Sequence, residues 1–334
     1  MVRAVVVHEF GSPESIAIEE IASLTPGPGE ILIDVEAVGV NFVDLLVVGG
    51  KYQFLPQRPF TPGKLPAGTI VALGKDVQGF SIGDRVLTTA EQGGYAEQAV
   101  APAAQCYHIP DRISFVQTAS IALGFDTAWF ALHERGRLRA GESVLVLGAT
   151  GAVGFAAVQL AKVTGAQVIA GVSSLAKAQL ALDAGADDVV DLSVVDIHDG
   201  LRGQVHALTD GKGVDVVIDS LGDRFLPAAL RALAWCGRLV VVGFAAGEIA
   251  SVKTNYLLVK NIEVSGLQIS DYRKKMPSRM RECFAEIFSM IEKGTVRAPA
   301  STVLPLDFFA EALGWIRDRR AAGRIVLEPN GRQR

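Results

Sequence analysis

Cysteine is scarce in this chain. Cys106, Cys236 and Cys283 are scattered over 334 residues and form no C-x-x-C pair. That excludes a disulfide framework and a local structural zinc cluster, and it fits a reducing cytoplasm. Basic runs with interleaved aromatics are missing too, and the formal net charge is −4, so no nucleic-acid partner is expected. Residues 144–161 are apolar enough to resemble a membrane span, but Gly148, Thr150, Gly151, Gly154 and Gln159 interrupt them, and no membrane association is expected. The apolar run within Met1–Phe10 is too short for a signal peptide, which again favours the cytoplasm. Low-complexity segments and internal repeats are absent. What remains, at 49% hydrophobic residues, is a globular chain with ample core, long enough for one very large domain or two ordinary ones.

The most informative stretch is Ser143–Gly154, Ser-Val-Leu-Val-Leu-Gly-Ala-Thr-Gly-Ala-Val-Gly. Val144–Leu147 has the unbroken β-forming character of a strand buried on both faces of a parallel sheet. Gly148, Gly151 and Gly154 follow, and then a helical pattern over Phe155–Lys162. Glycines at a strand-to-helix turn bring backbone N–H groups close to a pyrophosphate, and the helix N-terminus adds partial positive charge. Thr150, Gly151, Ala152 and Val153 are therefore expected to bind a dinucleotide; the alternative is a tight turn without a ligand. The next strand, Gln167–Val172, runs into Ser173, Ser174 and Lys177, where an acid would select the free ribose 2′-hydroxyl. Two hydroxyls and a lysine suit a 2′-phosphate, so NADPH is expected as cofactor. Against this stands a plainer reading, with Ser173 as a helix cap and Lys177 solvated.

Residues 1–100 read as many short strands with frequent turns, the pattern of a barrel-like β domain. The expected strands include Arg3–His8, Ile16–Ile21 and Glu30–Ala37, with strand pattern again over 67–77 and 81–89. Helices are expected at Val116–Phe125 and Thr127–Arg135. From Ser143, strands Val144–Leu147, Gln167–Val172, Asp188–Asp191, Val214–Asp219, Arg238–Gly243 and Ile262–Gly266 alternate with helices, which predicts an α/β class with a Rossmann-type doubly wound parallel sheet. Two amphipathic helices should follow Gly266, the first aligning Met280, Phe284, Ile287, Phe288 and Ile291 before a stop at Gly294. Arg324–Leu327 should return as a strand to the first domain. Ligands bind at the carboxyl ends of strands in such sheets, so Ser220, Leu221, Gly243, Phe244, Ala245 and Leu267 are further cofactor-binding candidates. All five histidines lie outside these segments, and surface or core roles are expected for them.

Six further stretches have a recognisable order and spacing: Gly27-Pro28-Gly29-Glu30, Gly39–Asp44, Gly83-Asp84-Arg85-Val86, Gly93–Glu97, Ser173–Lys177 with Gly185-Ala186-Asp187, and Gly323–Pro329. With the glycine turn, they make the whole chain resemble the medium-chain dehydrogenase/reductase superfamily, in particular its zinc-free NADPH:quinone oxidoreductase (zeta-crystallin-like) branch. The resemblance implies a GroES-like β-barrel catalytic domain, 1–123 and 268–334, and an NADPH-binding Rossmann domain, 124–267. It implies a homodimer joined through Ile262–Gly266. It also implies that Asn41, Asp44 and Tyr52 line the nicotinamide and substrate cleft, and that Thr127 and Asn41 lie close to the nicotinamide. Asn41 could donate from its amide or be a turn residue. Tyr52 could donate its phenol to an oxyanion or merely cover the core, and Asp44 could tie down its own loop.

Zinc-dependent relatives carry a ligand Cys where this chain has Asn41, and Gly-His-Glu where it has Gly63-Lys64-Leu65, so no metal is expected. Two departures touch the quinone reductases as well: an acid is expected near Leu65, and many relatives have an aromatic at Leu192. The expected reaction is hydride transfer from NADPH to a small-molecule quinone or α,β-unsaturated carbonyl. Two alternatives are open: an enoyl-thioester reductase with Lys51, Arg58 and Lys64 as a basic rim, and a nucleotide- or RNA-binding crystallin-like protein without turnover.

Overall fold

The computed structural model describes residues 1–321 and 323–331, which divide into two compact units, Met1–Leu123 with Ser270–Arg334, and Gly124–Ile269.

The first unit begins with β1 (Val2–Val6) and β2 (Ala17–Ile21), an antiparallel pair. Its main sheet is organised around β3 (Glu30–Val40), the long strand whose apolar side chains Ile31, Ile33, Val35 and Val38 form the core. Next come β4 (Ala67–Leu73), β5 (Arg85–Thr88), β6 (Gln98–Pro102) and β7 (Cys106–His108).

The second unit supplies β8 (Ser143–Leu147), β9 (Gln167–Val172), β10 (Asp188–Asp191), β11 (Val214–Asp219), β12 (Leu233–Val241) and β13 (Glu263–Gly266). All pair in parallel, in the order β10-β9-β8-β11-β12-β13. The order reverses beside β8, the switch point where open α/β sheets bind ligands. Val144, Leu145, Val146 and Leu147 are fully buried, as the unbroken apolar run requires.

The chain then returns to the first unit. β14 (Ser301–Pro305) and β15 (Arg324–Glu328) complete the order β14-β15-β3-β4-β5-β7, with β6 also on β3. β15 runs antiparallel to β3, Ile325 opposite Val40. The helix Pro277–Glu292 buries Met280, Phe284, Ile287 and Phe288, leaves Ile291 half-buried, and is followed by Gly294 at φ 71°.

Several boundaries differ from the sequence pattern. The helices expected at Val116–Phe125 and Thr127–Arg135 are Phe115–Ile121 and Gly124–Phe130, the second continuing through a π-helical stretch, Ala131–Arg135. The break falls at Leu123, whose φ is 64°, inside an apolar run that gives periodicity nothing to detect. β12 starts at Leu233 rather than Arg238, because a register shift near Cys236 (φ 62°) interrupts the pattern. Among the described residues three α-helices follow Gly266 instead of two: Ile269–Lys275 precedes Pro277–Glu292 and Phe309–Arg317. The first is a short basic segment without an apolar stripe.

Candidate functional site

In the second unit the expected cofactor residues gather at the carboxyl edge of the sheet. Gly148 turns the chain at φ 70° directly after β8. Gly151 is the extended N-cap of the helix Ala152–Thr164 and offers no capping side chain. The N–H groups of the first helical turn therefore have no side-chain acceptor from the cap, and they present partial positive charge at the end of β8. Gly154 fixes how closely the helix lies on the turn: a Cβ there would stand 2.2 Å from the Gly148 carbonyl oxygen. This cradle of backbone donors fits a pyrophosphate.

Ser173, Ser174 and Lys177 follow β9, with Ser173 and Lys177 exposed. The cap of the short helix Leu175–Lys177 is Ser174, which accepts from the Ala176 N–H at 3.3 Å. Ser173, the residue first considered for capping, does not perform it. Ser220 and Leu221 follow β11; Gly243, Phe244 and Ala245 follow β12; Leu267 follows β13 and donates its N–H to the Val241 carbonyl at 3.0 Å. The Ser220 hydroxyl donates to the Leu147 carbonyl at 3.0 Å, tying the end of β11 to that of β8. Thr127 is buried on the helix Gly124–Phe130, its N–H bonded to Asp126 Oδ1 at 2.7 Å. That helix starts against the helix Ala152–Thr164, with Gly124 close to the Ala152 carbonyl. Leu192, in the place of an aromatic, is buried beside Gly171 and Leu147 and belongs to the core.

One residue of the strand-end segment Asp219–Gly222, expected to flank the ribose and nicotinamide, has a role that the sequence did not show. Asp219, fully buried at the end of β11, accepts from the N–H groups of Leu221 (2.8 Å) and Gly222 (2.9 Å). It fixes the turn that presents Ser220 and Leu221. Burial raises its pKa against those two bonds.

The first unit holds Asn41, Asp44 and Tyr52. Asn41 precedes the helix Phe42–Val48 and donates its backbone N–H to Asp44 Oδ2 at 2.9 Å. Its amide nitrogen donates to the Gly39 carbonyl (2.9 Å), and its amide oxygen accepts from Arg324 Nη2 (2.6 Å). Tyr95 donates its phenol to Asp44 Oδ2 at 3.0 Å. Asp44 is 1% exposed. Burial pushes its carboxyl up to about 6, although the Lys64 charge and the bonds from Asn41 and Tyr95 pull the other way. The Tyr95 phenol is driven up by the same burial and by Asp44, and burial lowers the Arg324 guanidinium.

Lys64 is a correction. It was expected on a basic rim with Lys51 and Arg58; those two are exposed, but Lys64 is only 5% exposed. Its ammonium pairs with Glu91 Oε2 at 2.5 Å, and Glu91 Oε1 takes Arg273 at 2.9 Å. An ammonium in the interior requires such a partner, and Glu91 is that partner. Burial works to raise the Glu91 carboxyl, but the charges and bonds of Arg273 and Lys64 outweigh it and hold it at about 2. Lys64 Nζ also lies 5.5 Å from the centre of the half-buried Tyr52 ring. Asn41 and Asp44 are thus directly joined, while Tyr52 lies beside Lys64, whose charge is felt at Asp44.

Tyr95 and Arg324 lie in stretches with a recognisable pattern, which gave their position but no role. Glu91 and Arg273 are 182 positions apart, and no local signal pairs them.

A doubly wound sheet with a glycine turn at its switch point, carried together with a β unit built on a seven-stranded sheet, is the architecture of the medium-chain dehydrogenase/reductase class. Profiles described as "Alcohol dehydrogenase GroES-like domain" and "Zinc-binding dehydrogenase" match residues 27–111 and 152–288. A Nematostella vectensis protein described as "Quinone oxidoreductase-like protein 2 homolog" is 36% identical over 328 residues, 97% of this chain and 88% of its own length. The quinone oxidoreductase of Pseudomonas aeruginosa is 34% identical over 98% of this chain and 100% of its own length. The solved structure of Escherichia coli quinone oxidoreductase complexed with NADPH superposes with a TM-score of 0.90, at 29% identity, over 98% of this chain and 100% of that one. The chain belongs to the quinone oxidoreductase family of this superfamily.

Proposed function

We propose that the chain is an NADPH-dependent reductase of quinones or α,β-unsaturated carbonyls, working without zinc. The observation that carries this reading is the carboxyl edge of the six-strand sheet. An uncapped helix N-terminus follows the glycine turn there, and Ser173, Ser174 and Lys177 stand where an acid would favour NADH. Thr150–Val153 would hold the pyrophosphate, Ser173, Ser174 and Lys177 the 2′-phosphate, and the loops after β11, β12 and β13, with Thr127, the remainder. Bound there, NADPH supplies the hydride.

The protein's part is to position the acceptor and to meet the negative charge that develops on its oxygen. Tyr52 is the proposed donor, its ring lying under the Lys64 ammonium. Asn41 has one amide N–H engaged with Gly39, and the other is the second proposed donor. Asp44 holds the Asn41 backbone and Tyr95 in place.

The residues present do not suit a zinc ion. The Asn41 oxygen is taken by Arg324 and position 64 carries an ammonium; among the described residues no group of three or more His, Cys, Asp and Glu could hold a metal. Turnover should therefore survive strong chelation, and its loss with restoration by zinc would overturn this point. Two further proposals accompany the reading. One is a homodimer through β13, which lies at the end of the sheet order with one edge unpaired among the described residues; a monomeric mass at micromolar concentration would contradict it. The other is a cytoplasmic location, supported by three free cysteines, two of them buried. Among the described residues no helix is long and apolar enough to cross a membrane.

The test of function is NADPH oxidation with a panel of quinones, enals, enones and acyl-thioesters. An enoyl-thioester reductase is the second reading, favoured by the exposed Lys51 and Arg58, and fastest turnover on the thioester would select it. Saturable NADPH binding with no turnover on any member would leave only nucleotide binding.

A further inference from the structure

A cation-lined cavity lies in the second unit, at the opposite edge of its sheet from the glycine turn. A cavity of about 410 Å³ opens at the amino ends of β11 and β12, walled by the helices Ile197–Leu208 and Asn255–Lys260. Four cations line it, Arg202, Lys212, Arg231 and Lys260, and no Asp or Glu does.

Part of this charge is engaged. Lys260 caps the helix Phe225–Ala232 by donating to the carbonyls of Leu230, Arg231 and Leu233, and Arg231 pairs with Asp199 at 2.6 Å. Arg202 and Lys212 are exposed and have no ion pair among the described residues. The crowding is felt at the titratable groups of the wall. Burial, then the charges of Arg202 and Arg231, lower the Lys260 ammonium; burial, then Arg202 and Lys260, lower the His206 imidazole. His206 Nε2 is itself buried without a hydrogen-bond partner, on the wall of the same cavity. Two exposed cations beside a buried, unpartnered imidazole nitrogen leave this wall with donors for an anion.

Two aromatic side chains complete the wall. Tyr256 is half-buried, while Trp235 is 73% exposed at the mouth. A large aromatic left in solvent beside a cationic pocket offers a stacking face next to charge, the combination that takes a planar ring carrying phosphate.

We propose that this cavity binds a nucleoside phosphate, with Arg202, Lys212 and His206 on the phosphates and Trp235 against the base. The site is separate from the cofactor edge, which lies at the carboxyl ends of the same strands, and it does not depend on the proposed reaction.

The test uses the full-length protein with its cofactor edge saturated by NADPH, titrated with ADP and, separately, with inorganic pyrophosphate. Calorimetry should show saturable binding of both, ADP being tighter. Arg202→Gln with Lys212→Gln should weaken both ligands by roughly tenfold or more. Trp235→Ala should bring ADP down to the affinity of pyrophosphate. All three positions are exposed, and unchanged thermal melting would show that the variants are folded. The proposal is overturned if NADPH abolishes ADP binding stoichiometrically, if the double variant binds both ligands as the wild type does, or if neither ligand saturates at millimolar concentration. Loss of pyrophosphate binding in the double variant with no effect of Trp235→Ala would overturn the nucleoside part and leave a simple phosphate site.

Discussion

The carboxyl edge of the six-strand sheet and the cluster around Asp44 are built from different materials. The edge is mainly backbone: glycines, a helix N-terminus and loops whose N–H groups bond neighbouring carbonyls, as from Val242 to Asp219 at 2.7 Å and from Ala245 to Ser220 at 3.1 Å. The cluster consists of buried side-chain charge. Asp44, Lys64, Glu91, Arg273 and Arg324 come from five separate stretches of sequence and meet only in the folded first unit. A backbone site changes through steric fit, whereas a charged cluster changes through desolvation. Substitutions in the two should therefore fail in different ways.

The largest effect is expected at the shared carboxylate. Glu91→Gln leaves Lys64 and Arg273 facing each other in the interior, and breaking such a buried arrangement costs about 4 kcal/mol. Denaturant unfolding of the variant should show this loss, and a change below about 1 kcal/mol would mean that solvent screens the group.

Next comes pH. Asp44 has its folded pKa raised from 3.8 to about 6, so its proton is held more tightly in the native state. The stabilisation is fully present below the unfolded value near pH 4 and is lost as pH rises through about 6, a change of roughly 3 kcal/mol. Glu91, lowered from 4.5 to about 2, acts in the opposite sense: its contribution is present above about pH 4.5 and disappears as pH falls through 2. Urea unfolding of Asp44→Asn between pH 4.5 and 7 should lack the decline seen in the wild type. Parallel curves for the two proteins would show that Asp44 titrates normally.

At the backbone site, Gly154→Ala puts a methyl group 2.2 Å from a carbonyl oxygen that cannot move aside. A destabilisation of about 2 kcal/mol is expected, with weaker binding of NADPH and NADH alike, since both need the turn. Fluorescence titration with each cofactor checks this; loss of one only would contradict it.

The smallest effect separates the cofactors. Lys177→Ala should weaken NADPH by about tenfold, near 1.4 kcal/mol, and leave NADH almost unchanged. Ser173→Asp should reverse the preference by repelling the phosphate and accepting from the ribose hydroxyl. Equal losses for both cofactors in Lys177→Ala would remove the main support for NADPH selection.

The sequence by itself determined the six parallel strands, the glycine turn and the loops at the strand ends, because each depends on residues adjacent in the chain. An unbroken apolar run makes a buried strand, and glycine spacing makes a tight turn, wherever the segment is placed. The family resemblance, not local pattern, singled out Asn41 and Asp44, which share one helix start. Only the tertiary structure decided that Lys64 is an interior ion-pair partner instead of a rim residue, that Glu91 supplies its acid, and that Arg324 holds the Asn41 amide. The physical reason is that a charged side chain has no fixed role until its dielectric surroundings and its partner are known. Both come from strands and helices far apart in sequence, as Lys64, Glu91 and Arg273 are here.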